Sequence, residues 1–205
     1  MIIGTVDRPM TAPYGGAAAV LGTNPIAVSM PNPAGAPVTL DIATSAIAAG
    51  KVKVAKARHE QLPPDVILDK HGHPSVNPQD FLDGGFLLPF GGHKGYALAV
   101  MAELLSGPLI GAEAYPGVTA RSGIFIFAMD AQLFRPKSDY ASALAHRLGQ
   151  IKGVSPAAGF DEVLVPGEPE ARVRAQRARE GIPIPDDTWS AVCNAAHSVG
   201  LKLEN

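Results

Sequence analysis

The sequence predicts a mixed α/β (α+β) fold, and three observations carry that expectation. Two β-branched, aliphatic runs, Ile26–Met30 and Val38–Ile42, flank a cluster of turn residues and read as a hairpin. Long helical patterns occur elsewhere, above all from Gly95 to Leu105 and from Glu168 to Glu180. The two kinds of element alternate irregularly, which argues against a regular strand–helix–strand series.

The elements follow in order. Ile2 to Val6 reads as a short strand with almost no lead-in, and Pro13-Tyr14-Gly15-Gly16 as a turn. The first hairpin strand is closed by Pro31, Asn32, Pro33 and Gly35. Thr44 or Ser45 is the expected cap of a helix that carries Ile47, Val52 and Val54 and runs to about His59, weakened at Gly50. Asp69 to Pro74 is a turn between extended pieces. The helix from Gly95 is apolar on nearly every side, which predicts burial all round until Gly107-Pro108 stops it. Gly123 to Met129 reads as a central strand, Asp139 to Gln150 as an amphipathic helix, and Glu162 to Val165 as a strand. Glu168 to Glu180 is a charged, exposed helix with Gly181 as its stop. Asp186 or Asp187 is the expected cap of a last helix bearing Trp189, Val192 and Ala196.

Composition narrows the function classes. A chain of 205 residues that is 46% hydrophobic and 18% charged is globular, with room for one good core or two small lobes. A net charge of -2 without a basic stripe gives no reason to expect nucleic acid. Arg172, Arg174, Arg177 and Arg179 stand among acidic residues as a solvated helix face. One cysteine, Cys193, excludes an internal disulfide and fits a reducing compartment. Met1-Ile2-Ile3-Gly4 lacks the charged start of a signal peptide, and no apolar run reaches the roughly 18 residues of a membrane span. The expectation is a cytoplasmic protein with no membrane partner. The Gly- and Ala-rich character gives way to charged helix near the end, so residues 1–160 are expected to form the sheet domain and residues 161–205 a C-terminal helical segment.

Four segments carry chemistry. In Leu88-Pro89-Phe90-Gly91-Gly92-His93-Lys94-Gly95-Tyr96, glycines precede a helix start and a lysine sits on its first turn, a combination suited to an anion such as phosphate. A Walker loop does not fit, because Gly95 occupies the hydroxyl position, and no Gly-x-Gly-x-x-Gly fingerprint occurs. In Leu40-Asp41-Ile42-Ala43-Thr44-Ser45, an acid near a strand end can accept hydrogen bonds from ribose hydroxyls, and N–H groups near Thr44 and Ser45 can meet a phosphate or amide. Val165-Pro166-Gly167-Glu168-Pro169-Glu170 opens another helix, and Leu21-Gly22-Thr23-Asn24-Pro25 is a polar turn whose Thr23 and Asn24 can hold a carboxylate or carbonyl. The bland alternatives for all four are turns and helix caps. His71 and His73, with Asp65 and Asp69, lie in a turn without a converging ligand pattern, so no metal site is expected. No Gly-x-Ser-x-Gly elbow is present.

Taken in order and spacing, Gly22-Thr23-Asn24-Pro25, Leu40 to Ser45, Leu88 to Tyr96 and Pro166-Gly167-Glu168 resemble the type-2 malate/L-lactate dehydrogenase family, which includes ureidoglycolate, sulfolactate and diketogulonate dehydrogenases and piperideine-carboxylate reductases. The resemblance implies a non-Rossmann NAD(P)-binding domain on a largely antiparallel sheet with flanking helices. It also implies a homodimer with its site in a cleft, and hydride transfer between NAD or NADP and a small 2-hydroxy or 2-oxo acid. It places Leu40, Asp41, Ile42, Ala43, Thr44, Ser45, His93 and Lys94 against the cofactor, closes Gly167, Glu168 and Pro169 over it, and turns Thr23 toward the substrate. In the family a Ser-His pair in an N-terminal helical segment supplies the proton donor. The first histidine here is His59, so the expectation is a member lacking that segment, with no catalytic residue assigned. The alternative expectation is a truncated, catalytically impaired member that only binds NAD(P) or a partner.

Overall fold

The computed structural model describes residues 1–5, 8–112 and 122–201, so Val6 of the first expected strand lies outside the described residues. The chain divides into two compact units, Met1–Gly167 and Glu168–Asn205.

The first unit confirms the mixed α/β class with antiparallel sheets. Strands β1 (Ile2–Gly4), β2 (Ile26–Met30), β3 (Val38–Ile42) and β7 (Ile124–Ile126) form one sheet in the order β3-β2-β1-β7, every pair antiparallel. The hairpin pairs Ile26 with Ile42 and Met30 with Val38. Asn32 closes it: its Oδ1 accepts from Ala34 N–H and its Nδ2 donates to Ala36 O, the local bonding for which asparagine is favoured in turns. Strands β4 (Ile67–Leu68), β5 (Pro74–Ser75) and β6 (Phe86–Leu87) form a small second sheet with β4 in the middle. Helices α1 (Ala49–Ala57) and α2 (Pro78–Leu82) pack beside it. The core lies there: Val52, Leu62, Val66, Ile67 and Leu87 are buried, with Met10, Ile47 and Phe81 against them.

Several elements depart from the sequence expectation, each because a distant partner intervenes. Thr44 and Ser45 cap nothing. α1 starts at Ala49 with Ala48 as an uncapped lead residue, because Thr44 to Ala46 is tied sideways to other loops. β7 is an edge strand, not a central one, and Ile124 and Ile126 are 65% and 66% exposed. Glu162 to Val165 forms no strand; it is an extended segment anchored by buried Val165 and by Thr39 N–H donating to Pro166 O. α3 (His93–Ser106) is buried on one face only, through Gly95, Ala99, Ala102 and Ser106, small residues that let it sit close to β1 and β7. Its opposite face exposes Leu98, Met101 and Leu104. α4 (Lys137–Lys152) ties back to the hairpin turn, its Tyr140 hydroxyl donating to Pro31 O at 2.8 Å.

The second unit consists of α5 (Glu168–Glu180) and α6 (Asp186–Ser198). α5 is exposed from Pro169 onward, with Glu168 and Glu170 in its first turn and Arg177 and Arg179 in its last, the arrangement that favours the helix dipole. Gly181 follows at φ +88 and donates to Arg177 O. Pro185 holds the cap position of α6, so Asp186 begins the helix instead of capping it. Cys193 is free and half-buried. No helix among the described residues is long and apolar enough to cross a membrane.

Candidate functional site

Three of the four segments singled out in the sequence meet on the fourth, the stretch of chain from Thr39 to Ala46. At its far end Thr44 is fully buried. Its N–H and its Oγ1 both donate to Thr23 O, at 2.9 and 3.0 Å. Its carbonyl accepts from Phe90 N–H at 3.0 Å, and Ala46 N–H donates to Leu88 O at 2.7 Å, closing an antiparallel bridge between Ser45 and Pro89. Ser45 Oγ turns forward to Ile47 O. At the near end Thr39 N–H donates to Pro166 O at 3.0 Å, and Gly167 lies so close that a Cβ on it would stand 3.2 Å from Thr39 N. Between these clamps Leu40, Ile42 and Ala43 are half-buried, while Asp41 is exposed, with no side-chain partner among the described residues.

Thr23 is held by the turn behind it. Asn24 has φ +34 and is fully buried, and its Nδ2 donates to Ala99 O at 3.0 Å and to Glu103 Oε2 at 2.8 Å. Asn24 therefore fixes the turn to α3 through its amide nitrogen, while its Oδ1 is buried without a hydrogen-bond partner among the described residues. Thr23 is half-buried and has no side-chain hydrogen bond among the described residues.

Phe90 leads directly into the start of α3. Gly91 and Gly92 have φ of +57 and +63, a backbone that side chains with a Cβ resist, and Gly92 takes the cap position. Gly95 lies against the same loop, where any Cβ would overlap the Phe90 carbonyl. The first turn thus carries His93 and Lys94 outward, both exposed, with the leading N–H groups of the helix beside them. Lys94 has no ion pair or side-chain hydrogen bond among the described residues. An uncommitted ammonium beside a helix N-terminus suits an anion.

One neighbour of this turn carried no functional signal in the sequence, where it read only as part of a Pro-Gly-Gly turn. The Tyr14 ring lies edge-on to the His93 ring, centroids 6.0 Å apart and planes at 68°. The remaining expected residues, Glu168 and Pro169, open α5 in the second unit. The His71 and His73 turn is built around a carboxylate: Asp69 Oδ1 accepts from His71 N–H at 2.8 Å and from His73 N–H at 2.9 Å. The His73 N–H bond is the largest influence holding the Asp69 carboxyl below the usual aspartate value; desolvation opposes it and the His71 N–H bond reinforces it. No group of three or more potential metal ligands occurs among the described residues.

Comparison with known proteins identifies the relatives of this chain. Residues 1–193 match the family described as malate/L-lactate dehydrogenase. Hydroxycarboxylate dehydrogenase B of Escherichia coli is 34% identical over 209 residues, covering 98% of this chain and 58% of that protein. The malate/(S)-sulfolactate dehydrogenase of Methanothermus fervidus is 36% identical over 207 residues, 97% of this chain and 59% of its own length. The solved sulfolactate dehydrogenase of Methanocaldococcus jannaschii superposes with a TM-score of 0.82 at 34% identity, over 98% of this chain and 59% of that one. The chain thus spans somewhat under two thirds of the length of the relatives it matches.

Proposed function

The chain belongs to the malate/L-lactate dehydrogenase family, and from that premise we propose that it serves an NAD(P)-dependent oxidoreductase interconverting a small 2-hydroxy acid and its 2-oxo acid. The observation that supports this most is the meeting of three separate segments on a fourth, Thr39 to Ala46. The six residues from Thr39 to Thr44 are five steps of chain, which span at most about 17 Å, a length suited to an extended dinucleotide where a lone phosphate would need one turn.

The donor set fits such a ligand. Lys94 and the N–H groups opening α3 supply positive charge for a pyrophosphate. Asp41, exposed and uncommitted, offers acceptors to ribose hydroxyls. Leu40, Ile42 and Ala43 give an apolar wall, and His93, Gly167, Glu168 and Pro169 complete the proposed contacts. When bound, the nicotinamide ring supplies the redox chemistry. The chain's own part is to hold that ring and the acid in fixed relation, with Thr23 turned to the substrate. A homodimer belongs to the same reading, and sedimentation that returns a clean monomer counts against it.

The test is a fluorescence titration of the chain with NADH and NADPH, followed by nucleotide oxidation assays with 2-oxo acids. Saturable binding of at least one nucleotide is expected. If both fail while inorganic pyrophosphate binds, the redox reading is wrong.

A further inference from the structure

We infer that Tyr14 is a further binding residue of this site, its ring a stacking platform for one of the planar bases of the ligand. The inference rests on the dinucleotide reading above and adds to it a residue outside the four segments.

Tyr14 is 60% exposed, and its hydroxyl has no partner among the described residues. An aromatic ring that only plugged the loop would be covered by it. Yet the ring is not loosely placed. Two and three residues before it, Ala12 and Thr11 are fully buried. Ala12 N–H donates to Leu87 O at 3.0 Å and Thr11 N–H to Leu21 O at 2.9 Å, while Gly16 N–H closes the turn onto Pro13 O at 2.9 Å. Leu87 is also the residue from which the chain runs through Leu88 to Phe90, against Thr44 and Ser45, and on into α3. The stem of Tyr14 and the site loop therefore share one anchor.

The ring is held at its far side as well. It meets His93 edge-on, and its Cε2 lies 3.3 Å from where a Cβ on Gly92 would stand. A rigid aromatic of this kind offers large contact area at little cost in conformational freedom. It stands on the turn that carries Lys94. Cation and exposed ring together match a ligand that carries both phosphate and a planar base.

The experiment compares the full chain with Tyr14→Phe and Tyr14→Leu. Each is titrated with the dinucleotide that binds the unaltered chain, with AMP, with nicotinamide mononucleotide and with inorganic pyrophosphate. Leucine is expected to weaken dinucleotide binding about 10-fold, phenylalanine to leave it nearly unchanged, and pyrophosphate affinity to stay the same in all three. The mononucleotide weakened by leucine identifies the base that stacks. Dinucleotide binding unaffected by leucine, or a loss that falls equally on pyrophosphate, overturns the inference and leaves Tyr14 as loop packing. If the unaltered chain binds neither NADH nor NADPH, the dinucleotide reading fails and takes this inference with it.

Discussion

The two ends of the Thr44–Lys94 region differ in what their polar groups do. Around Thr44 they are spent: N–H, hydroxyl and carbonyl all bond to neighbouring chain, and the residue is fully buried. At Lys94 the side chain is free: the ammonium is exposed and has no ion pair or hydrogen bond among the described residues. The contrast separates two jobs that the sequence motifs merge. Thr44 belongs to the frame that holds four segments together, whereas Lys94 belongs to the surface at which we propose the ligand binds. A buried, satisfied polar group stabilises the fold; an exposed charge without a partner contributes almost nothing to it.

The largest expected effect is on the free end. Lys94→Met removes the charge while keeping much of the stem. NAD(P)H binding should weaken about 10-fold or more, the loss of one charge-assisted contact, while the unfolding free energy drawn from urea curves changes by no more than about 0.5 kcal/mol. Paired titration and urea curves check this. A variant that binds normally would end the contrast, since the ammonium would then be an ordinary solvated charge.

Thr44→Val is the converse. It keeps the shape but removes the hydroxyl bond to Thr23 O, which still receives Thr44 N–H. The expected cost is about 1 kcal/mol of stability, with nucleotide affinity changed less than by the Lys94 substitution. A loss of affinity larger than that of Lys94→Met, at unchanged stability, would show that the buried end is not merely frame.

The same division explains what the sequence made legible. The β2–β3 hairpin was readable because alternating apolar residues and the Pro-Asn-Pro-Ala-Gly turn are local signals. α5 was readable from Glu168 to Glu180 because Gly181 punctuates it. The start of α1 was not, because Thr44 looks like a cap until Thr23 and Phe90 claim it. β7 looked central because Ile124 to Phe127 is apolar, and only pairing with β1 alone makes it an edge. α3 looked buried all round because hydrophobicity does not say which face meets the sheet, whereas the small residues Gly95, Ala99, Ala102 and Ser106 mark that face once seen. At the site, each segment was visible by its residue types. Their meeting along Thr39 to Ala46 was not, since it rests on main-chain bonds such as Thr39 to Pro166 that leave no trace in side-chain pattern. Tyr14 was invisible for a related reason: its neighbour His93 is distant in sequence.

The Asp69 turn is an intermediate case and has the smallest expected effect: a surface carboxylate whose acceptors are nevertheless committed. Its folded pKa lies below the unfolded value, through the N–H groups of His73 and His71. A depressed carboxyl contributes stability that is present above the unfolded value, near pH 4, and is lost as pH falls through the folded one. Asp69→Asn keeps an acceptor oxygen for the two N–H groups but removes the titration. Urea midpoints measured from pH 5 to pH 2 should therefore fall more gently in the variant than in the unaltered chain, with the variant slightly the less stable at neutral pH. Parallel acid limbs would mean that the carboxylate gains no more from these N–H groups in the folded chain than from water in the unfolded one. Commitment at a surface turn would then carry no measurable stability, and the division drawn between Thr44 and Lys94 would have to rest on burial alone.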